Sequence, residues 1–265
     1  MSNKTTQAYK LLINNAVTSQ TLSNHLDYLG PIMSSLGLMA YYKEYLAYTG
    51  ASHQYSGLPD APYVYHGKTH TEQVVLAAYE GSLYSNLTLN EARTLIVAAL
   101  FHDIKHSHGR ETDSHNVRKA IGIANLIHGG IKAKGKLSDI DFAQACSLIR
   151  HTQYPYPIKN KVDIGLSAKI LRDADRMVCV YTQDVELRLN LMLGLANETV
   201  NSNITDLKTF LNDQKKFMIT IAWETRWASM KAIRLNWPSY CRSLITQLDT
   251  KLRFDPIKNQ FYITD

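Results

Sequence analysis

The chain has 265 residues, 45% hydrophobic and 20% charged, with a formal charge of +6 at pH 7. That balance is typical of an ordinary globular protein and excludes a mostly disordered chain. No run of about 18 apolar residues is present, which excludes a membrane-spanning helix, and the start, MSNKTTQAYKLL, lacks the apolar stretch of a secretory signal. Cys146, Cys179 and Cys241 are widely spaced and odd in number. They read as buried free thiols of a reducing, cytoplasmic compartment, not as a disulfide frame. The basic excess is mild and contains no basic block, so nucleic acid is not expected as a partner.

Apolar residues at helical spacing over 5–15 and about 20–48 predict helices that end before Gly50, with Gly30-Pro31 breaking the second. Residues 51–65 read as a loop and 69–84 as a helix. Thr88 and Glu91 are spaced as a capping box for a short apolar helix over 90–102. A polar loop follows over 104–112. Asp113 or Ser114 then caps a helix over 114–128, which Gly129-Gly130 ends. A basic loop leads to a helix over 139–151, and Pro155 and Pro157 take 152–165 out of helix. Helical spacing resumes over 167–195 and 205–235. Trp237-Pro238 marks a break, a last helix runs to about 252, and NQFYITD is a short strand or a docked tail. No linker divides the chain. The expected fold is all-α, a single-domain helical bundle. Residues 1–50 would be N-terminal packing helices, 51–200 the core, and 201–265 helices completing the same domain.

Histidine is the informative residue. Six of the ten fall between 66 and 115: His66, His70, His102, His106, His108 and His115. Imidazole and carboxylate together are the ligand set for Zn, Fe, Mn or Ni. His102-Asp103 ends the apolar run LIVAALF, where an unpaired buried carboxylate would be costly and a metal would remove the cost. His66 and His70, in YHGKTH, are four apart. His66 sits at the mouth of a helix and His70 inside it, which suits a movable proton donor and a ligand. In LRDADRM, Asp173 and Asp175 point about 200° apart on a helix, so only one can face a shared site. Arg172 and Arg176 offer those carboxylates an alternative use in ion pairs. Trp223 and Trp227, four apart, would share a helix face, either in the core or as a wall for a stacked base.

The order His70, His102-Asp103, Asp175 resembles the HD-domain superfamily of metal-dependent phosphohydrolases. YHGKTH with Val74 is similar to the YHxxxHxxxV segment of cyclic-nucleotide phosphodiesterases, HDIKH to their HDxxH, and LRDADRM to the segment supplying the last Asp. FHD with the later DSHNVRKA also resembles small bacterial HD phosphohydrolases. The resemblance covers about residues 62–180. It implies an HD-type bundle with a metal site in its core. His70, His102, Asp103 and Asp175 would hold the first metal, with His115 and His151 standing where some members hold a second. His66 would be the general acid, and His106 would lie near the bridging water, so that His66, Asp103 and His106 form the catalytic set. Lys68, Lys105, Arg110 and Tyr154 are candidates to hold the substrate, and Arg172 is a further candidate for its phosphate. One or two divalent ions (Mn, Fe, Mg, Zn or Ni) are implied as cofactor. The phosphodiesterases' C-terminal Gln-Gly-Asp segment and purine-clamping Gln-x-Gly-Phe find no match, and Gly67 replaces their Asn.

The function expected is hydrolysis of a phosphate ester of a nucleotide or nucleotide-like small molecule. A catalytically idle nucleotide-binding or signal-binding module and a di-iron oxygenase on the same scaffold are the alternatives. Activity on purified protein separates the first from these, and iron content with oxygen consumption marks the last.

Overall fold

The computed structural model describes residues 29–55, 65–132, 134–155, 164–177, 179–181 and 184–264. Among them are eleven helices and a two-stranded antiparallel sheet, so the architecture is all-α. The helices expected within residues 5–28, and Pro157, lie outside the described residues.

The chain opens with α1 (Leu29–Leu36) and α2 (Met39–Tyr55). Gly30-Pro31 does not break this stretch. Pro31 lies in the first turn of α1, where the missing N–H has no helical partner to lose. The break falls at Gly37, whose φ of +71° is a left-handed conformation that glycine adopts freely. α2 then continues through Gly50 to Tyr55, past the expected stop.

Helix α3 (Lys68–Tyr84) is followed by α4 (Leu89–Phe101). The capping box at the start of α4 is formed: Thr88 accepts from the Glu91 N–H while Glu91 accepts from the Thr88 N–H. Every residue from Thr94 to Phe101 is buried. A helix apolar on all sides belongs at the centre of a bundle, and α4 packs against α3 on one side and α6 (Asp139–Arg150) on the other. Helix α5 (Asp113–Ile131) runs through Gly129-Gly130, which do not end it. Its N-cap is Thr112, not Asp113 or Ser114. Tyr41 donates to His128 Nδ1 at 2.6 Å and His128 Nε2 donates to Asp139 Oδ1 at 3.1 Å. That chain ties α2, α5 and α6 together.

The long helix expected over 167–195 is two helices, α7 (Leu166–Arg176) and α8 (Val185–Val200). Asp184 caps α8 by accepting from the Glu186 and Leu187 N–H groups. The stretch 205–235 is likewise divided, into α9 (Leu207–Thr220) and α10 (Arg226–Arg234). Trp237-Pro238 opens α11 (Trp237–Lys251), with Pro again in the first turn. Strands β1 (Leu252–Asp255) and β2 (Gln260–Ile263) form a hairpin with Phe254 opposite Phe261.

Buried apolar residues form two clusters. The larger gathers α1 to α7 with Trp227 and Ala228 of α10. The smaller is built on α8, α9, α11 and the hairpin. Val180 and Trp223 pack against both. Tyr65 belongs to the smaller cluster although it directly precedes the α3 segment, and it thereby draws the C-terminal helices over the entrance to α3.

Candidate active site

Four side chains from three helices meet at one point. His70 comes from the first turn of α3, His102 and Asp103 from the end of α4, and Asp175 from the last turn of α7. One donor atom from each lies within 4.8 Å of all the others. His70 Nε2 is 3.3 Å from Asp103 Oδ2 and 3.2 Å from Asp175 Oδ1. His102 Nε2 is 3.0 Å from Asp103 Oδ2 and 3.5 Å from Asp175 Oδ1. His70 and His102 are buried, while the carboxylates are partly open to solvent.

The His102 ring is fixed by its far side. Nδ1 donates to the Ala99 carbonyl at 2.8 Å, one turn back on α4. That bond leaves Nε2 as the nitrogen turned to the two carboxylates, fully buried and met by no aligned hydrogen bond. A buried nitrogen without a partner is costly, and two carboxylates beside it make the donor set of a divalent cation. The residues present therefore fit such an ion. Burial opposes charge on His102, but Asp103 and Asp175 outweigh it and raise its pKa. Burial would raise the pKa of Asp103 and Asp175, yet His102 and His70 hold both well below the usual carboxylate range. In the chain alone, a proton on His102 supplies part of the positive charge that the carboxylates call for.

Asp173 and Asp175 separate as the helical angle requires. Asp173 is fully buried on the other side of α7, where it accepts from the Glu224 and Thr225 N–H groups, the Thr225 hydroxyl and the Arg176 guanidinium. It is a structural carboxylate, and Asp175 is the one that faces the histidines.

A second group stands beside the first. His66, His106 and Glu198 also offer donor atoms within 4.8 Å of one another. Glu198, buried in the last turn of α8, accepts from His66 twice: from the backbone N–H at 3.1 Å and from ring Nδ1. It also accepts from His108 Nδ1 at 3.2 Å. The His66 and His106 rings stack with centroids 3.9 Å apart. His106 Nδ1 accepts the His108 backbone N–H at 3.1 Å. Each residue of this trio already has a hydrogen-bond partner, so it reads as a hydrogen-bonded assembly and the first group as the stronger cation site.

Burial would lower the pKa of His66, but Glu198, with Asp103 and Asp175 behind it, raises it to about 9. His106 is driven the other way, to about 4, by burial and by the His66 charge. At neutral pH a protonated imidazole therefore lies stacked on a neutral one. His66 keeps Nε2–H free of Glu198, and that proton can be given away. Burial would raise Glu198, yet His66 and His108 hold it well below the usual carboxylate range.

The loop after Asp103 is bent to achieve this. Lys105 and His108 have φ of +66° and +53°, a conformation uncommon outside glycine. Strain of this kind clusters at functional sites.

The other expected site residues lie apart from these groups. His115 faces Glu111 at 3.6 Å on the surface, and His151 caps the end of α6. Neither brings a donor atom within reach of the four-ligand group. Lys68 is exposed and 3.6 Å from Glu72, and Lys105 and Arg110 are exposed on the loop after Asp103. Arg172 is mostly buried, donating to the His151 carbonyl at 2.6 Å. Tyr154 is exposed, and its N–H donates to the Asp113 carboxylate. Burial first, then Asp103 and Asp175, raise the Asp113 pKa, so this carboxylate feels the site's charge. Trp223 and Trp227 do not share a helix face. Trp223 precedes α10 and packs edge-on against Trp237, while Trp227 is core.

Glu198 was not foreseen from the sequence. Its signal is there nonetheless: an acidic residue inside the apolar stretch LMLGLANETV calls for a partner, by the reasoning applied to Asp103.

The fold is all-α, with a buried His/Asp group inside the helical bundle whose side chains could hold a divalent cation. Residues 68–178 match the family model of the HD domain. All four candidate ligands lie inside it, with His66 just before it and Glu198 beyond its end. No curated protein and no solved structure matches the chain.

Proposed function

We propose that this protein is a metal-dependent phosphohydrolase or phosphodiesterase acting on a nucleotide or nucleotide-like small molecule. The observation that carries the reading is adjacency. A four-ligand His/Asp group with an unpartnered buried imidazole nitrogen stands beside an imidazole that a carboxylate keeps protonated.

His70, His102, Asp103 and Asp175 would hold the cation. A divalent ion there would acidify a bound water and offset charge on phosphoryl oxygens. His66, protonated on both nitrogens, would give its Nε2 proton to the leaving oxygen. Glu198 holds the ring through Nδ1 and compensates its charge. His106 stays neutral and covers the other face of the ring. Lys68, Lys105 and Arg110, exposed and cationic, are the candidates to meet a phosphate arriving from solvent. Asp113 and Tyr154 are joined by the bond from the Tyr154 N–H to the Asp113 carboxylate. One ion is the simplest occupancy, because His115 and His151 stand outside the group.

Three buried free cysteines fit a reducing, cytoplasmic setting. Among the described residues no helix is long and apolar enough to cross a membrane. Residues 1–50, 51–200 and 201–265 are taken as parts of one domain, supported by the residues that pack against both clusters.

The test is metal content by mass spectrometry on wild type and Asp103→Ala, followed by a screen of phosphate monoesters and diesters. Near-stoichiometric metal in wild type only, with release of an alcohol or phosphate, supports the reading. Absence of metal from both after reloading with Mn, Fe, Zn or Mg overturns it.

A further inference from the structure

The loop that carries His106 and His108 is gripped by one turn of another helix. Glu198, Asn201 and Ser202 stand at positions three and four apart, on one side of the C-terminal end of α8. Asn201 Nδ2 donates to the His108 carbonyl at 2.7 Å. Ser202 Oγ donates to the Gly109 carbonyl at 3.3 Å. Glu198 takes the His108 ring at 3.2 Å. Between these bonds the two backbones touch: a Cβ on Gly109 would lie 2.2 Å from the Glu198 carbonyl oxygen, and Gly109 has φ of +80°. Only glycine allows that approach.

His108 is thus held at both its ring and its carbonyl, with a left-handed backbone that this hold keeps in place. Its N–H then lies where His106 Nδ1 accepts it, which sets the tautomer and direction of the ring stacked on His66.

We propose that Asn201 is a positioning residue of this site, acting through the His108 carbonyl to orient His106 against His66. The inference rests on the phosphohydrolase reading. Asn201 touches no reacting atom. Its own side chain is exposed, so its removal leaves no buried group unpaired in α8.

The test uses Asn201→Asp, equal in size but lacking the donor, and Asn201→Gln, which keeps one. The first readout is the ¹⁵N spectrum of the histidine rings, and the second is turnover of bis(p-nitrophenyl) phosphate by metal-loaded enzyme. For Asn201→Asp, the His106 and His108 signals should move and kcat should fall by about tenfold or more, as small misplacements near reacting groups do. KM, metal content and melting temperature should stay close to wild type. Asn201→Gln should recover part of both losses. Histidine signals that stay put in Asn201→Asp overturn the proposal whatever the rate does, as does an unchanged kcat in an enzyme that turns over. If wild type cleaves no phosphate ester with any metal, the functional reading fails. The ring signals then decide the clamp alone, moved signals supporting it and unmoved ones sinking it.

Discussion

Glu198 holds His66 at two points, the backbone N–H at 3.1 Å and the ring Nδ1, so one carboxylate fixes both where the residue sits and how its ring faces. It also supplies the main charge that keeps the ring protonated, against burial. Replacing it by glutamine keeps the shape and removes the charge. In Glu198→Gln, kcat should fall by about 10–100-fold at neutral pH, within the range general acid catalysis commands. The basic limb of the rate profile should move down from near 9. A Glu198→Gln profile that overlays wild type would show that His66 does not depend on this carboxylate.

His66→Ala separates acid from ligand. The four-residue group does not include His66. Metal content should therefore stay at the wild-type level while the rate drops about 10²- to 10⁴-fold. The loss should be smaller for substrates with a good leaving group, which needs no proton. Equal losses for p-nitrophenolate and alcohol leaving groups would remove His66 from the acid role.

Metal binding should be proton-linked. In the metal-free chain Asp103 and Asp175 raise the pKa of His102, so a cation must displace a proton to reach Nε2. Affinity should rise with pH, and calorimetry in buffers of different ionisation enthalpy should detect proton release. His102→Ala should abolish this release along with stoichiometric binding.

The His66–Glu198 pair should also mark the pH dependence of stability of the metal-free chain. His66 is raised from 6.5 to about 9, so its contribution is fully present below about 6.5 and is lost as pH rises through about 9. Glu198 is depressed from 4.5, so its contribution is present above about 4.5 and is lost as pH falls through its lowered value. The pair therefore stabilises most between these limits. The difference in melting temperature between wild type and Glu198→Gln should be largest near pH 5–6 and should shrink towards pH 10.

Asp173 predicts a different outcome from its neighbour two residues on. It satisfies two backbone N–H groups, a hydroxyl and Arg176 in a fully buried position. Asp173→Ala should cost roughly 3 kcal/mol of stability, typical of breaking a buried charged network. Asp175→Ala should lose the pairing with His70 and His102 in the metal-free chain and, unlike Asp173→Ala, should also fail to gain stability when metal is added. Thermal unfolding with and without the preferred ion measures both.

The central elements were legible because local chemistry decides them. Thr88 and Glu91 cap α4 as their spacing dictates, and the unbroken apolar run after them has no place but the centre of a bundle. The glycines misled. Gly129 and Gly130 lie within α5 because α5 has enough contacts to outweigh their weak helix preference, a tertiary override of about 1 kcal/mol per residue. The two long helical stretches hid their breaks because apolar spacing continues across 177–184 and 221–225, neither of which contains a glycine. At the site, the separation of Asp173 from Asp175 follows from the helical angle. The pairing of Glu198 with His66 does not, since the partners are 132 positions apart and only folding brings them together.

The residues matched to the HD domain end at 178, and Glu198 lies twenty residues further on. A fragment trimmed to that segment would keep every candidate ligand and lose both His66 and the carboxylate that holds it. It could still load with metal and yet be slow, so metal uptake by a trimmed protein would be a misleading certificate of activity. On the proposed reading the functional unit of this chain is longer than its family signature at both ends, reaching back to His66 and on to Glu198.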